Sequence, residues 1–302
     1  MLRHSGRRST IHRLIVVVDV LVRDVGPRDG LQAEAPLPVV QRAELAERLI
    51  DAGLQHVEVA SFVRDDLVPA MAGAEDVVAL VSARPHVTRY GLVANLRGAQ
   101  RGAATTLEAF TFTLSLSQEY SLKNTRRNLG ESLKVLADVV SAVGRPVDAV
   151  ISCAFGSPFD DVDVIRDLPK LVTEVRRCGA ADITLADTTG MATPRIIDEV
   201  LQLVGSDIGI HLHETRGTAL LNAYAALRLG VRRFDTSIGG IGGSPFAPNA
   251  SGNLATESLV RLLHDERFAT GASFDGLLAT AGWLQDILGH DLPSPLLQLS
   301  TN

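Results

Sequence analysis

Short β-branched runs alternate with amphipathic stretches along nearly the whole chain, and this alternation limits the possible fold more than any other feature. Strand-like runs fall in the 21–26 region (VLVRDV) and at 56–61 (HVEVAS), 87–93 (VTRYGLV) and 108–114 (EAFTFTL). Four more follow at 147–154 (VDAVISCA), 182–187 (DITLAD), 209–213 (GIHLH) and 231–237 (VRRFDTS). Helical spacing marks 38–53, 67–82, 125–143, 160–178, 193–204 and 216–229. In the first of these, Val40, Leu45, Leu49 and Ile50 are predicted to share one face, and Gly53 to stop the helix. Strict alternation implies a parallel sheet, and eight repeats permit closure into an α/β (β/α)8 TIM barrel. The alternative is an open doubly wound sheet, but no GxGxxG follows the first strand.

Composition agrees with one large core. The chain has 302 residues, 46% hydrophobic and 21% charged, which excludes general disorder. Residues 1–20 are expected to form a flexible extension and 21–302 a single barrel domain with a helical C-terminal segment. A net charge of −6, with acids and bases interleaved, argues against a nucleic-acid partner but leaves room for a small anionic one. No stretch approaches the ~20 apolar residues of a membrane span. Two cysteines, Cys153 and Cys178, make no disulfide framework and favour a reducing, cytoplasmic location.

Barrel active sites lie at the C-terminal ends of the strands, so polar residues there are the first candidates. His211 and His213, two apart on one strand, point to the same face. Their bland alternative is a pair of core histidines. With Asp29 they make a two-histidine, one-carboxylate set that suits Mg²⁺, Mn²⁺, Co²⁺ or Fe²⁺ better than structural zinc. Asn253 is either a fourth, neutral ligand or the N-cap of the helix that follows. Glu257, one helical turn on, is either a supporting group for the site or a first-turn acid favoured by the helix dipole. Arg28 is a fixed cation for a developing enolate oxygen, or the ion-pair partner of Glu58 or Asp187. Asp187 is a chemical group or a turn cap. The loop GGIGGSPFAPNASGN (239–253) holds five glycines, more than turn geometry needs, and implies close backbone approach or movement.

Read together, VGPRDGLQ (25–32), VEVASF (57–62), LADTTGMATP (185–194), HLHETRGTALLNAYAALRLGV (211–231) and GGIGGSPFAPNASGNLATE (239–257) resemble one family. They are similar to 3-hydroxy-3-methylglutaryl-CoA lyase and its relatives in the DRE-TIM metallolyase superfamily, in order from about residue 21 to 265. The resemblance implies that Asp29, His211, His213 and Asn253 bind Mg²⁺ or Mn²⁺. It also implies that Arg28 steadies a thioester enolate, and that Glu58, Asp187, His211 and Glu257 support the metal site and proton transfers. The implied reaction is retro-Claisen cleavage of a 3-hydroxyacyl-CoA to acetyl-CoA and a keto acid, in a homodimer whose glycine loop closes over the substrate. Lys123 and Asn124 match a KN pair of the family and are candidates for the CoA phosphates, or simply a solvated helix start.

Two positions depart from the family pattern. Ser244 stands where the loop carries a cysteine, and a hydroxyl does not match a thiol in proton transfer at neutral pH. Glu214 stands where an aspartate follows HxH. Ser244 marks either a relative with a shifted substrate or a metal-binding homologue of low activity. A condensing enzyme of the isopropylmalate or homocitrate synthase type is the other alternative, and the extra C-terminal regions usual in those relatives are not expected here.

Overall fold

The computed structural model describes residues 20–243 and 252–300, with the side chains of 298–300 left aside. The extension expected over residues 1–20 lies almost wholly outside this range, and Ser244 lies outside it too. The first half of the chain runs β1 (Leu21–Asp24), α1 (Val39–Asp51), β2 (His56–Ser61), α2 (Ala74–Leu80), β3 (Thr88–Leu92), α3 (Leu96–Ala103) and β4 (Ala109–Ser115). It continues through α4 (Gln118–Thr125), α5 (Leu129–Val143), β5 (Val147–Ser152), α6 (Val164–Arg177), β6 (Asp182–Asp187) and α7 (Pro194–Val204). The last part holds β7 (Gly209–Leu212), α8 (Ala219–Arg228), β8 (Arg233–Thr236), α9 (Thr256–Asp265), α10 (Phe274–Leu288) and α11 (Pro295–Ser300). The strands pair in parallel in sequence order and β8 closes on β1, which is the expected (β/α)8 barrel. Among the described residues no helix is long and apolar enough to cross a membrane.

The period of two along each strand sorts its side chains. One set, including Val57, Val59, Phe110, Phe112, Ile151, Leu185, Ile210 and Phe234, is buried in the apolar layer shared with the helices. The other set lines the barrel and is largely polar: Arg23, Glu58, Thr111, Asp148, Thr184, His211 and Asp235, all buried. Barrel interiors are ordinarily filled by branched aliphatic residues, so this one is built around bonded polar groups. Arg23 is at its centre. Its Nε and Nη2 each donate to Asp235 at 2.8 Å, and its Nη1 stands 2.7 Å from Asp148, whose other contact is the Thr184 hydroxyl at 2.7 Å.

Several predicted boundaries move. Val40 is 65% exposed, because the buried face of α1 turns instead on Arg42, Ala43, Leu45, Ala46, Leu49 and Ile50. The stretch 67–82 yields only a 3₁₀ turn at Pro69–Met71 and the short α2, since Gly73 in a left-handed conformation separates them. The stretch 125–143 divides at Arg126–Asn128, and α4 starts well before it. α3 escapes pattern reading because its two glycines leave little apolar period, although Asn95 caps it through Gly98 N.

β1 is tied to α9 by a buried carboxyl. Asp24 accepts the Gly26 amide at 2.7 Å and the Thr256 hydroxyl at 2.6 Å, and that hydroxyl also meets the Thr236 hydroxyl at 2.7 Å. Burial pushes the Asp24 carboxyl up to about 7, with hydrogen bonds from Thr256, Gly26 and Ile238 opposing the rise and nearby Glu257 adding to it. A carboxyl raised on folding contributes stability that is complete below its unfolded value near 4 and is lost as pH climbs through 7. We therefore expect unfolding free energy, from urea titrations, to fall about 3 kcal/mol more between pH 5 and pH 8 in the wild type than in Asp24→Asn. Parallel pH profiles for the two proteins would rule out this assignment.

Candidate metal centre and active-site cavity

The peptide GPRDG leaves β1 as a single π-helical turn, Gly26–Gly30, in which the amides of Arg28, Asp29 and Gly30 all donate to the Val25 carbonyl at 3.1, 2.6 and 3.2 Å. Such widened turns concentrate at functional positions. This one carries Arg28 and Asp29 over the C-terminal mouth of the barrel. Arg28 Nε donates to Glu58 Oε2 and its Nη1 to Asp29 Oδ1, both at 2.6 Å. Of the two ion-pair partners open to Arg28, the fold uses Glu58 and not Asp187. Glu58 is fully buried, also accepts the Thr111 hydroxyl, and sits where the β2–β3 register slips.

Asp29, His211 and His213 converge, with one ligand atom from each lying within 4.8 Å of the others. The two imidazole Nε2 atoms face each other at 3.1 Å. Neighbouring ligands of an octahedral cation with bonds of about 2.1 Å stand about 3.0 Å apart, so this spacing fits a shared ion. Burial alone would raise the Asp29 carboxyl, but Arg28 and the two histidines hold it below its ordinary value and keep it ionised.

Asn253 lies beside this group. The segment after the glycine loop returns across the mouth, where Leu254 N donates to Leu212 O at 3.0 Å and Ser237 N to Leu254 O at 3.0 Å, so Asn253 lies against His213 as an isolated antiparallel bridge. The N-cap alternative fails, because α9 starts at Thr256 with Ala255 as its cap. The expected one-turn relation between Asn253 and Glu257 fails with it. Asn253 Nδ2 donates to Asp29 Oδ2 at 2.9 Å and Ile241 O at 3.0 Å, while its Oδ1 is buried without a hydrogen-bond partner. That spare oxygen is the kind of neutral donor a hard cation takes. Gly252 is required here: a Cβ would lie 1.7 Å from the Gly240 carbonyl.

Sequence reading missed the group behind His211. Asp235 pairs with His211 across the β7–β8 ladder, and its Oδ2 lies 3.4 Å from Nδ1. Burial alone would raise the Asp235 carboxyl, yet Arg23 and His211 hold it far below its usual range. Burial alone would lower His211, and Asp235 lifts it above the ordinary imidazole value. A carboxylate on the far ring nitrogen fixes tautomer and orientation and leaves Nε2 for the metal. The available signal was charge inside two strands: adjacent Arg23 and Asp24 after VLV, and Arg233 and Asp235 two apart in RRFDT.

A cavity of 690 Å³ joins these groups, lined by Arg28, Asp29, Glu58, His211, His213 and Asn124 among others. Lys123 is not on its wall; its ammonium lies 4.0 Å over the Phe159 ring. Asp187 adjoins the site and, as its alternative reading had it, caps a turn: Oδ1 accepts Met191 N at 2.7 Å and Ala192 N at 3.0 Å. Its Oδ2 has no hydrogen-bond partner, and burial pushes the carboxyl up to about 6. Glu257 is buried in the first turn of α9, accepting the Gly239 amide at 3.1 Å, and burial raises it as well. Glu214 accepts Ala219 N at 2.9 Å and so caps α8. Cys153 is buried in the barrel wall, its thiol pushed up to about 12 by burial.

A model of the HMGL-like family matches residues 19–283. The chain is 37% identical to the (R)-citramalyl-CoA lyase of Chloroflexus aurantiacus over 297 residues, covering 91% of this chain and 93% of that protein. It is 33% identical to a hydroxymethylglutaryl-CoA lyase of Bacillus subtilis over 290 residues, 93% and 97% of the two chains. The crystal structure of the Bacillus subtilis HMG-CoA lyase superposes with a TM-score of 0.90 at 33% identity, covering 94% of this chain and 98% of that one. An Acinetobacter baumannii HMG-CoA lyase solved with coenzyme A and 3-methylmalate gives 0.88 at 35% identity, covering 93% and 94%.

Replacing Asp235 by Asn should weaken Mn²⁺ binding about 10- to 100-fold, read by electron paramagnetic resonance titration, with the circular dichroism spectrum unchanged. Wild-type affinity in the folded variant would show that Asp235 does not orient His211 for a metal.

Proposed function

The chain belongs to the HMGL-like family, and from that footing we propose that it is a divalent-metal-dependent carbon–carbon lyase. It cleaves a 3-hydroxyacyl-CoA of the 3-hydroxy-3-methylglutaryl-CoA type to acetyl-CoA and a keto acid. The observation that carries this reading is the convergence of Asp29, His211 and His213 beside the Arg28 guanidinium, on the wall of one cavity. Citramalyl-CoA and hydroxymethylglutaryl-CoA, for which the relatives are named, are thioesters with a 3-hydroxyl and a second, free carboxylate.

Asp29, His211, His213 and Asn253 hold the cation, Mg²⁺ or Mn²⁺ by the oxygen and nitrogen character of the set. When bound, it lowers the pKa of the substrate's tertiary hydroxyl. As the C2–C3 bond breaks, negative charge moves to the thioester oxygen, and Arg28 is the fixed cation that receives it. Glu58 and Asp29 hold the guanidinium in place beforehand, so little reorganisation is needed when charge develops. Asp187, with a free oxygen, a pKa near neutrality and His211 nearby, is the carboxyl suited to exchange the proton at working pH. Glu257 acts at a distance, by fixing the start of the glycine loop through Gly239. The same reading gives a cytoplasmic homodimer with an acyl-CoA as its small-molecule partner; two free cysteines support the reducing compartment.

Asp29→Ala and His211→Ala should each lower EDTA-sensitive acetyl-CoA release from 3-hydroxy-3-methylglutaryl-CoA about 100- to 1,000-fold. Unchanged turnover and metal content in both would sink the site assignment. Ser244→Cys separates two forms of the reading. A rise of about tenfold or more on that substrate assigns Ser244 to a lost proton donor, and an unchanged rate assigns the difference to the acyl pocket.

A further inference from the structure

Four arginines line the cavity: Arg23, Arg28, Arg64 and Arg127. Three of them are neutralised by the protein. Arg23 is held by Asp148 and Asp235, Arg28 by Asp29 and Glu58, and Arg64 by Asp66. Arg127 differs. Among the described residues no carboxylate pairs with its guanidinium, whose hydrogen bond to the protein is Nη1 donating to the Ala94 carbonyl at 2.8 Å. The side chain is half-buried, so the fold places a cation on the cavity wall without supplying its counter-charge.

The backbone around it is fixed at both ends. α4 stops at Arg126 in a left-handed conformation, φ 58°, ψ 30°, with its amide donating to Leu122 O at 3.1 Å. A residue with a side chain adopts that conformation only where the surroundings impose it. The Ser121 hydroxyl donates to the Arg127 carbonyl at 2.7 Å. Asn128 then opens α5 with a capping box, its side chain taking Glu131 N and the Glu131 carboxylate taking Asn128 N, each at 2.9 Å. Arg127 is thus a joint between two capped helices, and its side chain is aimed at the cavity by the fold and not by an acidic partner.

We infer that Arg127 is the counter-cation for an oxyanion of the substrate and sets specificity for it. The inference rests on the lyase reading for the identity of the ligand. Such a thioester carries two kinds of oxyanion, the free carboxylate of its acyl chain and the phosphates of coenzyme A, and a guanidinium binds either in a bidentate fork. Arg28 has two of its nitrogens committed to Glu58 and Asp29 and serves the thioester oxygen, which leaves Arg127 for these oxyanions.

The test uses Mg²⁺-loaded protein and thioesters lacking the 3-hydroxyl, which cannot be cleaved. Glutaryl-CoA carries both oxyanions, glutaryl-pantetheine only the carboxylate, and butyryl-CoA only the phosphates. By isothermal titration, Arg127→Gln should bind glutaryl-CoA about 10- to 100-fold more weakly than wild type, with Arg127→Lys recovering part of the loss. A loss kept with glutaryl-pantetheine and absent with butyryl-CoA assigns Arg127 to the carboxylate; the reverse pattern assigns it to the phosphates. Equal losses on both truncated thioesters, or none on glutaryl-CoA, would overturn the inference. Wild-type protein that binds these thioesters through Arg127 but cleaves no 3-hydroxyacyl-CoA would instead remove the lyase reading and leave this one standing.

Discussion

The Arg23 guanidinium is the interaction on which the site rests. It stands on β1 and binds Asp235 on β8 through two nitrogens and Asp148 on β5 through the third, so one side chain ties strands from opposite sides of the barrel. A buried cation of this kind is not a source of net stability, because desolvation costs about as much as pairing returns. Its value is in register. Removing any one partner leaves charge stranded in low dielectric, so the network holds one arrangement only. Asp235 is then fixed at the height where it meets His211 from behind. The floor of the cavity is a salt bridge turned into a positioning device.

Above that floor, the candidate ligands come from three separate backbones. The π turn after β1 delivers Asp29, the two-residue period of β7 delivers His211 and His213, and the bridge segment after the glycine loop delivers Asn253. None of these is a helix terminus or a flexible surface loop. Each is fixed by main-chain hydrogen bonds to the barrel, which brings together candidate donors from residues as far apart as 29 and 253. The Asp24 and Thr256 contact ties the first and last of these backbones together beneath the surface.

Much of this was legible in the sequence. The strands at 56–61 and 182–187 were read to the residue, because apolar residues on the helix-facing side alternate there with polar ones inside, and no other element has that period. HLH announced two side chains on one face, and they do face each other. What pattern reading lacks is the third dimension. Nothing local shows that Asn253 is not a cap and instead faces Asp29, since the bonds that place it run to Leu212 and Asp29. Lys123 and Asn124 are adjacent in sequence, yet a helical turn of 100° sends one to Phe159 and the other to the cavity. Asp235 and Arg23 carry no local mark, because what pairs them is closure of β8 on β1. Arg127 went unread because its importance lies in the acid that is not beside it.

Gly252 has a further consequence. With Gly240 packed against it and Leu254 bonded to β7, the far end of the loop is fastened as firmly as its near end, where Gly239 is held by Glu257. Inside the near fastening the loop still touches the candidate ligand set, where Ile241 O accepts Asn253 Nδ2, so freedom to vary begins beyond that contact. A lineage can rewrite residues beyond that contact, as Ser244 does where the resemblance has a cysteine, without rebuilding the candidate centre. Selection can explore new substrates on such a frame one residue at a time.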